Sequence, residues 1–396
     1  MSTMAGQSLS PLGEGVALAR RGAGSVSWLH AGWIPVAAAM LLSALGVMAI
    51  DTTEPGLARK QAIFAVLGVI AAAAACLPRT RTIRRVAWPL YWISLALLLF
   101  VLVPGVPEWL VRPKNGSRRW ISLGLFEFQP SEIAKLATVL AVAQWLRARE
   151  SLARVGGFLF SLLLALPPMF LILIEPDLGT SLLFIPAVLA MLLAAGARKR
   201  HVVLLVAGSL AVAPLAYPVL KPHQRDRVDA MLAQLRGDAR YSRDIGFQAD
   251  RAMTLVGSGG LAGVGQEKAR SLVRLNRLPE DHNDMIFAVI CCRWGFLGGL
   301  ATWMLGTLYG LGALAVGMLA REPFARLVAT GVATLLLTQL CINTGMTIGV
   351  LPITGVTLPF VSYGGSSLVA MWILTGLLFN LAMRRPRGAE RLGVVA

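Results

Sequence analysis

Apolar residues gather into ten long stretches along the chain, at 31–50, 61–77, 87–104, 131–147, 157–174, 179–197, 202–220, 284–319, 327–345 and 366–383. Most approach the length of about 18 to 20 residues that lets a helix cross roughly 30 Å of hydrocarbon. The pattern therefore predicts an all-α integral membrane protein with ten transmembrane helices. The stretch beginning at 284 is long for one straight crossing, so it is expected to tilt, to kink near Gly298 and Gly299, or to project beyond the bilayer. One long polar interval, 221–283, separates the seventh and eighth spans. The organisation reads as a tail at 1–30, a single transmembrane domain at 31–383 that includes the 221–283 loop, and a second tail at 384–396. No tandem repeat or separate soluble domain is visible.

Composition sharpens this picture. Hydrophobic residues make up 56% of the chain and charged ones 14%, which excludes an ordinary soluble globule. The basic clusters around 79–85, 147–154, 198–200, 321–326 and 384–391 all fall on one side if both termini are cytoplasmic, as the bias of cytoplasmic loops toward Lys and Arg requires. The 221–283 loop is then extracytoplasmic. The net charge of +17 follows largely from that bias and from anionic lipids at the inner surface, so nucleic acid is not implied. The first apolar run lacks a small-residue cleavage site and reads as a retained span. The four cysteines lie in apolar spans, without the spacing of a zinc site or a disulfide framework.

Polar residues costly to a membrane protein concentrate in five places, mostly on the outer side. In "RPKNGSRRWISLGLFEFQPSEIAK" (112–135), Lys114, Arg118 and Arg119 flank a turn and precede Trp120. Such cations suit a phosphate ligand, and equally an interfacial anchor. Farther on, Glu132 and Lys135 lie three apart on one helix face, either paired with each other or facing substrate. In "EPDLGTS" (175–181), Asp177 is expected to cap the next helix, whereas Glu175 suggests a polar cavity. The long loop holds an amphipathic "RVDAMLAQLRG" and a Gly257–Gly260 turn, with Ser258, whose N–H groups could meet an anion. In "LPEDHNDMIF" (278–287), Asp284 opens an apolar helix with Asn283 available as cap. It reads as an accessible base, or as a cap or ion-pair partner. The segment 342–367 places Ser362, Tyr363, Ser366 and several glycines and prolines at membrane depth, where irregular backbone survives only beside protein or a wet cavity.

With these residues in view, the sequence resembles the SEDS proteins (shape, elongation, division and sporulation), in particular the RodA and FtsW type. "NGSRRWI", "FQPSEIAKLA", "PDLGTS", "GSGGLAGVG", "LPEDHNDMIFA" and "GVTLPFVSYGGSS" occur in that family's order, over residues 35 to 385. "FQPSEIAKLA" and "IGVLPITG" look closer to RodA. The resemblance implies a peptidoglycan glycosyltransferase of the bacterial inner membrane. It would polymerise lipid II into glycan strands on the outer face, beside a class B penicillin-binding transpeptidase. Asp284 corresponds to the family's essential acid and Trp120 to its functional loop tryptophan. The chain departs from the family pattern in "CCRWGF", where Cys292 and Arg293 replace the usual acidic pair, and at Glu175, where Gln is usual. A compensating exchange of charge between Glu175 and Arg293 is one expectation from these departures.

The implied reaction needs a base for the attacking sugar hydroxyl and positive charge for a departing lipid pyrophosphate, but no second carboxylic acid. Asp284 is the expected base. Arg118, Arg119 and Lys114 are the expected pyrophosphate partners, and attack opposite the leaving group would invert the anomeric carbon. Trp120, Glu132, Lys135, Ser258, Ser362, Tyr363 and Ser366 complete the candidate substrate groove. A divalent cation, Mg or Mn, would help neutralise the pyrophosphate, though no ligand cluster demands one. Two rival readings share these features: a lipid-precursor flippase or transporter, and a scaffold that keeps the fold without turnover.

Overall fold

The computed structural model describes residues 30–114, 117–122, 124, 127–147, 155–219, 225, 229 and 247–384. Every predicted apolar stretch overlies a helix: α1 (Trp33–Thr53), α2 (Pro55–Ala75), α3 (Thr80–Leu102), α4 (Pro130–Leu146), α5 (Val155–Ile174), α6 (Leu178–Ala194), α7 (Lys199–Ala216), α10 (Ile286–Leu319), α11 (Pro323–Thr347) and α12 (Gly365–Met383). Six of these, α1–α3 and α10–α12, are long and apolar enough to cross a membrane, and shorter apolar stretches lie in α5 and α6. Two polar-faced helices, α8 (Phe247–Ser258) and α9 (Gln266–Asn276), occupy the end of the long loop. The amphipathic 227–237 stretch lies, apart from Asp229, outside the described residues, as do both tails beyond 30 and 384.

The all-α expectation needs one addition. Between α3 and α4 the chain forms an antiparallel three-stranded sheet, β1 (Val111–Lys114), β2 (Ser117–Ser122) and β3 (Glu127–Phe128). Its register pairs Arg112 with Trp120 and Ser122 with Glu127. Val111 and Ile121 pack there against Val101 in a small core apart from the main one. Short strands with so few apolar residues carry little periodicity, so the sequence pattern gave no sign of them.

Small residues set the helix crossings, as expected where lipid offers no hydrophobic drive between helices. Gly68 and Gly376 let α2 and α12 meet, and Gly306 and Gly310 bring α10 onto Leu340 and Leu337 of α11. Gly331 seats α11 between Val139 of α4 and Met191 of α6. Large apolar side chains such as Ile63, Val66, Phe296, Met304 and Met318 remain exposed, which suits a hydrocarbon surround. Ends predicted to share the cytoplasmic face do meet: Asn380 donates to the carbonyls of Ala75, Cys76 and Pro78, and Arg84 pairs with Glu322.

The long α10 is broken, three residues before the predicted position. Gly295 has φ 68° and ψ −160°, which divides the element into two helical pieces. Four backbone bonds join the break to the glycine-rich loop: Val264 N to Cys292 O, Gly265 N to Arg293 O, Phe296 N to Gly260 O and Leu297 N to Leu261 O. A Cβ on Gly295 would lie 2.4 Å from Gly263 N. The break therefore falls where the loop arrives; Gly298 and Gly299 stay helical.

Candidate active site

Asp284 stands at the mouth of the first α10 piece, half-buried. The helix starts only at Ile286, and its N-terminal position, Met285, makes no side-chain cap. The side-chain amide of Asn283 donates to Glu280 Oε2 at 2.5 Å.

The turn carrying Asp284 is fastened by three consecutive carbonyls. Tyr363 N donates to His282 O at 2.9 Å, Ser362 Oγ to Asn283 O at 2.7 Å, and Asn343 Nδ2 to Asp284 O at 2.8 Å. Ser362 Oγ also accepts from Leu358 N, so this serine braces backbone on both sides. The ring of Tyr363 sits edge-on to His282, 5.9 Å between centroids. His282 Nδ1 lies 2.9 Å from Asp281 Oδ1, and that bond, aided by the charges of Asp281, Glu280 and Glu54, raises the imidazole pKa despite burial. Ser366, at the start of α12, is buried with its hydroxyl unpartnered among the described residues.

The arginines of the β hairpin are held by backbone carbonyls. Arg119 Nε donates to Glu175 O and Nη2 to Pro176 O, both at 2.5 Å. Its Nη1 lies 3.7 Å from Asp177 Oδ2. Asp177 caps α6 as predicted, accepting from Thr180 N at 3.1 Å. Arg119 is thus anchored across the α5–α6 turn, with a quarter of its side chain exposed. Arg118 Nη2 donates to Val106 O at 2.6 Å. Trp120 is half-buried opposite Arg112 on β1. Lys114 ends β1, and the Asn115–Gly116 turn lies outside the described residues.

The segment 354–356 connects the two halves. A Cβ on Gly355, whose φ is +75°, would sit 3.3 Å from Asp284 Oδ2, and one on Gly179 would sit 2.6 Å from Thr354 O. Asp284 therefore flanks the wall that also contacts the first turn of α6, two residues after Asp177. Sequence reading missed Asn343, which links Asp284 O to Val356 O. Its position before a Gly- and Pro-rich segment was visible, but its partners were not.

The remaining predicted residues have partners of their own. Lys135 Nζ meets Glu132 Oε1 at 3.0 Å, both almost fully buried, the pair expected from their spacing. Glu132 Oε2 and both oxygens of Glu175 are buried without partners among the described residues. Ser258 Oγ donates to Leu255 O and lies 3.4 Å from Cys292 Sγ. The anion-cradle reading of the glycine turn is corrected. The N–H groups of Gly259 and Gly260 bond Val256 O and Gly257 O, and those of Val264 and Gly265 serve the carbonyls freed by the α10 break. The proposed exchange between Glu175 and Arg293 also fails. Arg293 is committed to the end of α1, donating to Met48 O, Thr52 Oγ1 and Gln266 Oε1, whereas Glu175 has Asp177 and Arg119 for neighbours. Among the described residues, no three His, Cys, Asp or Glu side chains converge as a metal-ligand set.

These positions can be set beside known proteins. The model of a family described as "Cell cycle protein", covering FtsW, RodA and SpoVE, matches residues 26–387. This chain belongs to that family. Stage V sporulation protein E of Bacillus subtilis is 35% identical over 330 residues, covering 82% of this chain and 86% of the relative. A probable peptidoglycan glycosyltransferase FtsW of Halorhodospira halophila is 36% identical over 339 residues, 83% of each. The solved structure of Thermus thermophilus RodA matches with TM-score 0.66 and 30% identity, covering 90% of this chain and 97% of that one. A chain from a peptidoglycan synthase complex that coordinates polymerization and crosslinking matches with TM-score 0.75 and 33% identity, covering 88% and 96%. SEDS membership, expected from the motifs, is thereby established.

Proposed function

We propose that this protein polymerises lipid II into glycan strands at the outer face of the bacterial inner membrane, releasing the lipid pyrophosphate. The observation that carries the proposal is the half-exposed Asp284 at a fastened helix mouth, flanking the wall that meets the turn held by Arg119. Membership of a family whose relatives are named peptidoglycan glycosyltransferases supports it.

Asp284 accepts the proton of the acceptor sugar hydroxyl as that oxygen attacks the anomeric carbon of the donor. The carbon–oxygen bond to the pyrophosphate breaks, and the pair of electrons leaves with the phosphate. Attack opposite the leaving group inverts the anomeric configuration. Arg119 supplies positive charge from a fixed place, because its bonds to Glu175 O and Pro176 O hold it across the turn. A charge already in place costs little reorganisation as the pyrophosphate departs. Arg118 and Lys114 belong to the same hairpin and are assigned to donor binding. A transpeptidase partner fits the likeness to a chain from a synthase complex, and lipid II with the growing strand are the substrates.

Purified protein in vesicles with lipid II tests this reading. Wild type should make glycan strands and Asp284→Asn should make none while inserting normally. Glycan from the Asn variant would remove Asp284 as base, and movement of lipid II between leaflets without polymer would favour a flippase.

A further inference from the structure

We infer that Asn343 is a positioning residue for the reaction, fixing the Asp284 carboxylate relative to the wall it shares with the Arg119-held turn. The inference rests on the reading of Asp284 as the base.

Asn343 lies in the last turns of α11, with no exposed surface. Its Nδ2 donates to Asp284 O and to Val356 O, each at 2.8 Å. Both amide hydrogens are therefore spent on carbonyls belonging to different segments. The opposite orientation would turn Oδ1 against two carbonyl oxygens, so the partners themselves settle which atom is the nitrogen. Tyr363 and Ser362 hold the two preceding carbonyls, and Asn343 holds the carbonyl of Asp284 itself. It alone among the three continues to Val356, whose Cγ2 would meet a Cβ at Gly179.

Gly355 completes the contact. Its positive φ keeps the backbone bare beside Asp284 Oδ2, where a Cβ would come within 3.3 Å. Base, wall and the turn held by Arg119 thus form one series, Asp284, 354–356 and then Gly179 with Asp177. Asn343 is the side chain that locks its first two members together. Without it, Asp284 O and Val356 O lose a shared donor in a buried setting, and Asp284 can shift against the wall while Tyr363 and Ser362 still hold the two carbonyls before it. A shift of about 1 Å at a reacting group can lower the rate roughly a hundredfold.

The test compares wild type, Asn343→Ala, Asn343→Ser and Asp284→Asn as full-length proteins in vesicles with lipid II, reading kcat, KM and melting temperature. For the Ala variant, kcat should fall about a hundredfold, with KM within about twofold because substrate-binding groups are untouched. The Ser variant keeps one donor and should fall between. A folded Ala variant with wild-type kcat, or a change confined to KM, overturns the inference. If Ala does not fold, wild-type kcat in the Ser variant overturns it. If wild type makes no strands, or Asp284→Asn makes them normally, the underlying reading fails instead, and with it this role.

Discussion

Replacing Gly295 with Ala tests whether the break in α10 is built in by the backbone or merely tolerated. At φ 68° and ψ −160°, an L-residue occupies a region that is essentially glycine-only, at a cost of about 1–3 kcal/mol. The new Cβ would also lie 2.4 Å from Gly263 N and 2.5 Å from Leu261 O. Both atoms are backbone, so relief requires the loop to retreat. Retreat endangers four backbone bonds, each worth a net of about 0.5–1.5 kcal/mol. Losing two of them adds about 1–3 kcal/mol, for a total of roughly 2–6 kcal/mol. Because Asp284 sits at the mouth of the piece that the break defines, glycan synthesis should fall together with stability. The measurement is the melting temperature in detergent alongside polymerisation of lipid II. Ala at Gly298, a helical position whose Cβ would meet chiefly the side chains of Trp294 and Ile290, is the comparison. If Gly295→Ala melts and polymerises like wild type, the close-approach argument is wrong.

Arg119→Lys keeps the charge but cannot fork across Glu175 O and Pro176 O; strand synthesis should drop about tenfold, equivalent to about 1.4 kcal/mol, and a wild-type rate would refute the anchored-cation role. For His282, Asp281 and the nearby Glu280 and Glu54 raise the folded pKa above the unfolded value, near 6.5. The stabilisation is therefore complete below that value and fades as pH climbs through the folded pKa. The melting-temperature gap between wild type and His282→Gln should narrow from pH 5.5 to pH 9, and a constant gap would refute the assignment.

Some of this site was legible from neighbouring residues alone. Asp177 caps α6 through Thr180, three residues on, and Glu132 meets Lys135 at the same spacing. The Asp284 assignment needed the motif, because its surroundings come from 343, 355 and 362–363. Arg119 was identified as a cation but not as one anchored to a turn 56 residues away. Arg293 was set against Glu175 on charge alone, whereas its partners lie near Met48 and Gln266.

The sequence by itself determined the apolar helices, because a bilayer rewards a local property: enough consecutive apolar residues to cover the hydrocarbon while the helix satisfies its own backbone. It determined the caps and pairs within one turn for the same reason of proximity. Only the tertiary structure decided where α10 breaks, what the glycine loop bonds, and which donors hold Asp284. Those outcomes depend on carbonyls and N–H groups brought together from distant segments, and each such group can be satisfied by many partners until packing selects one.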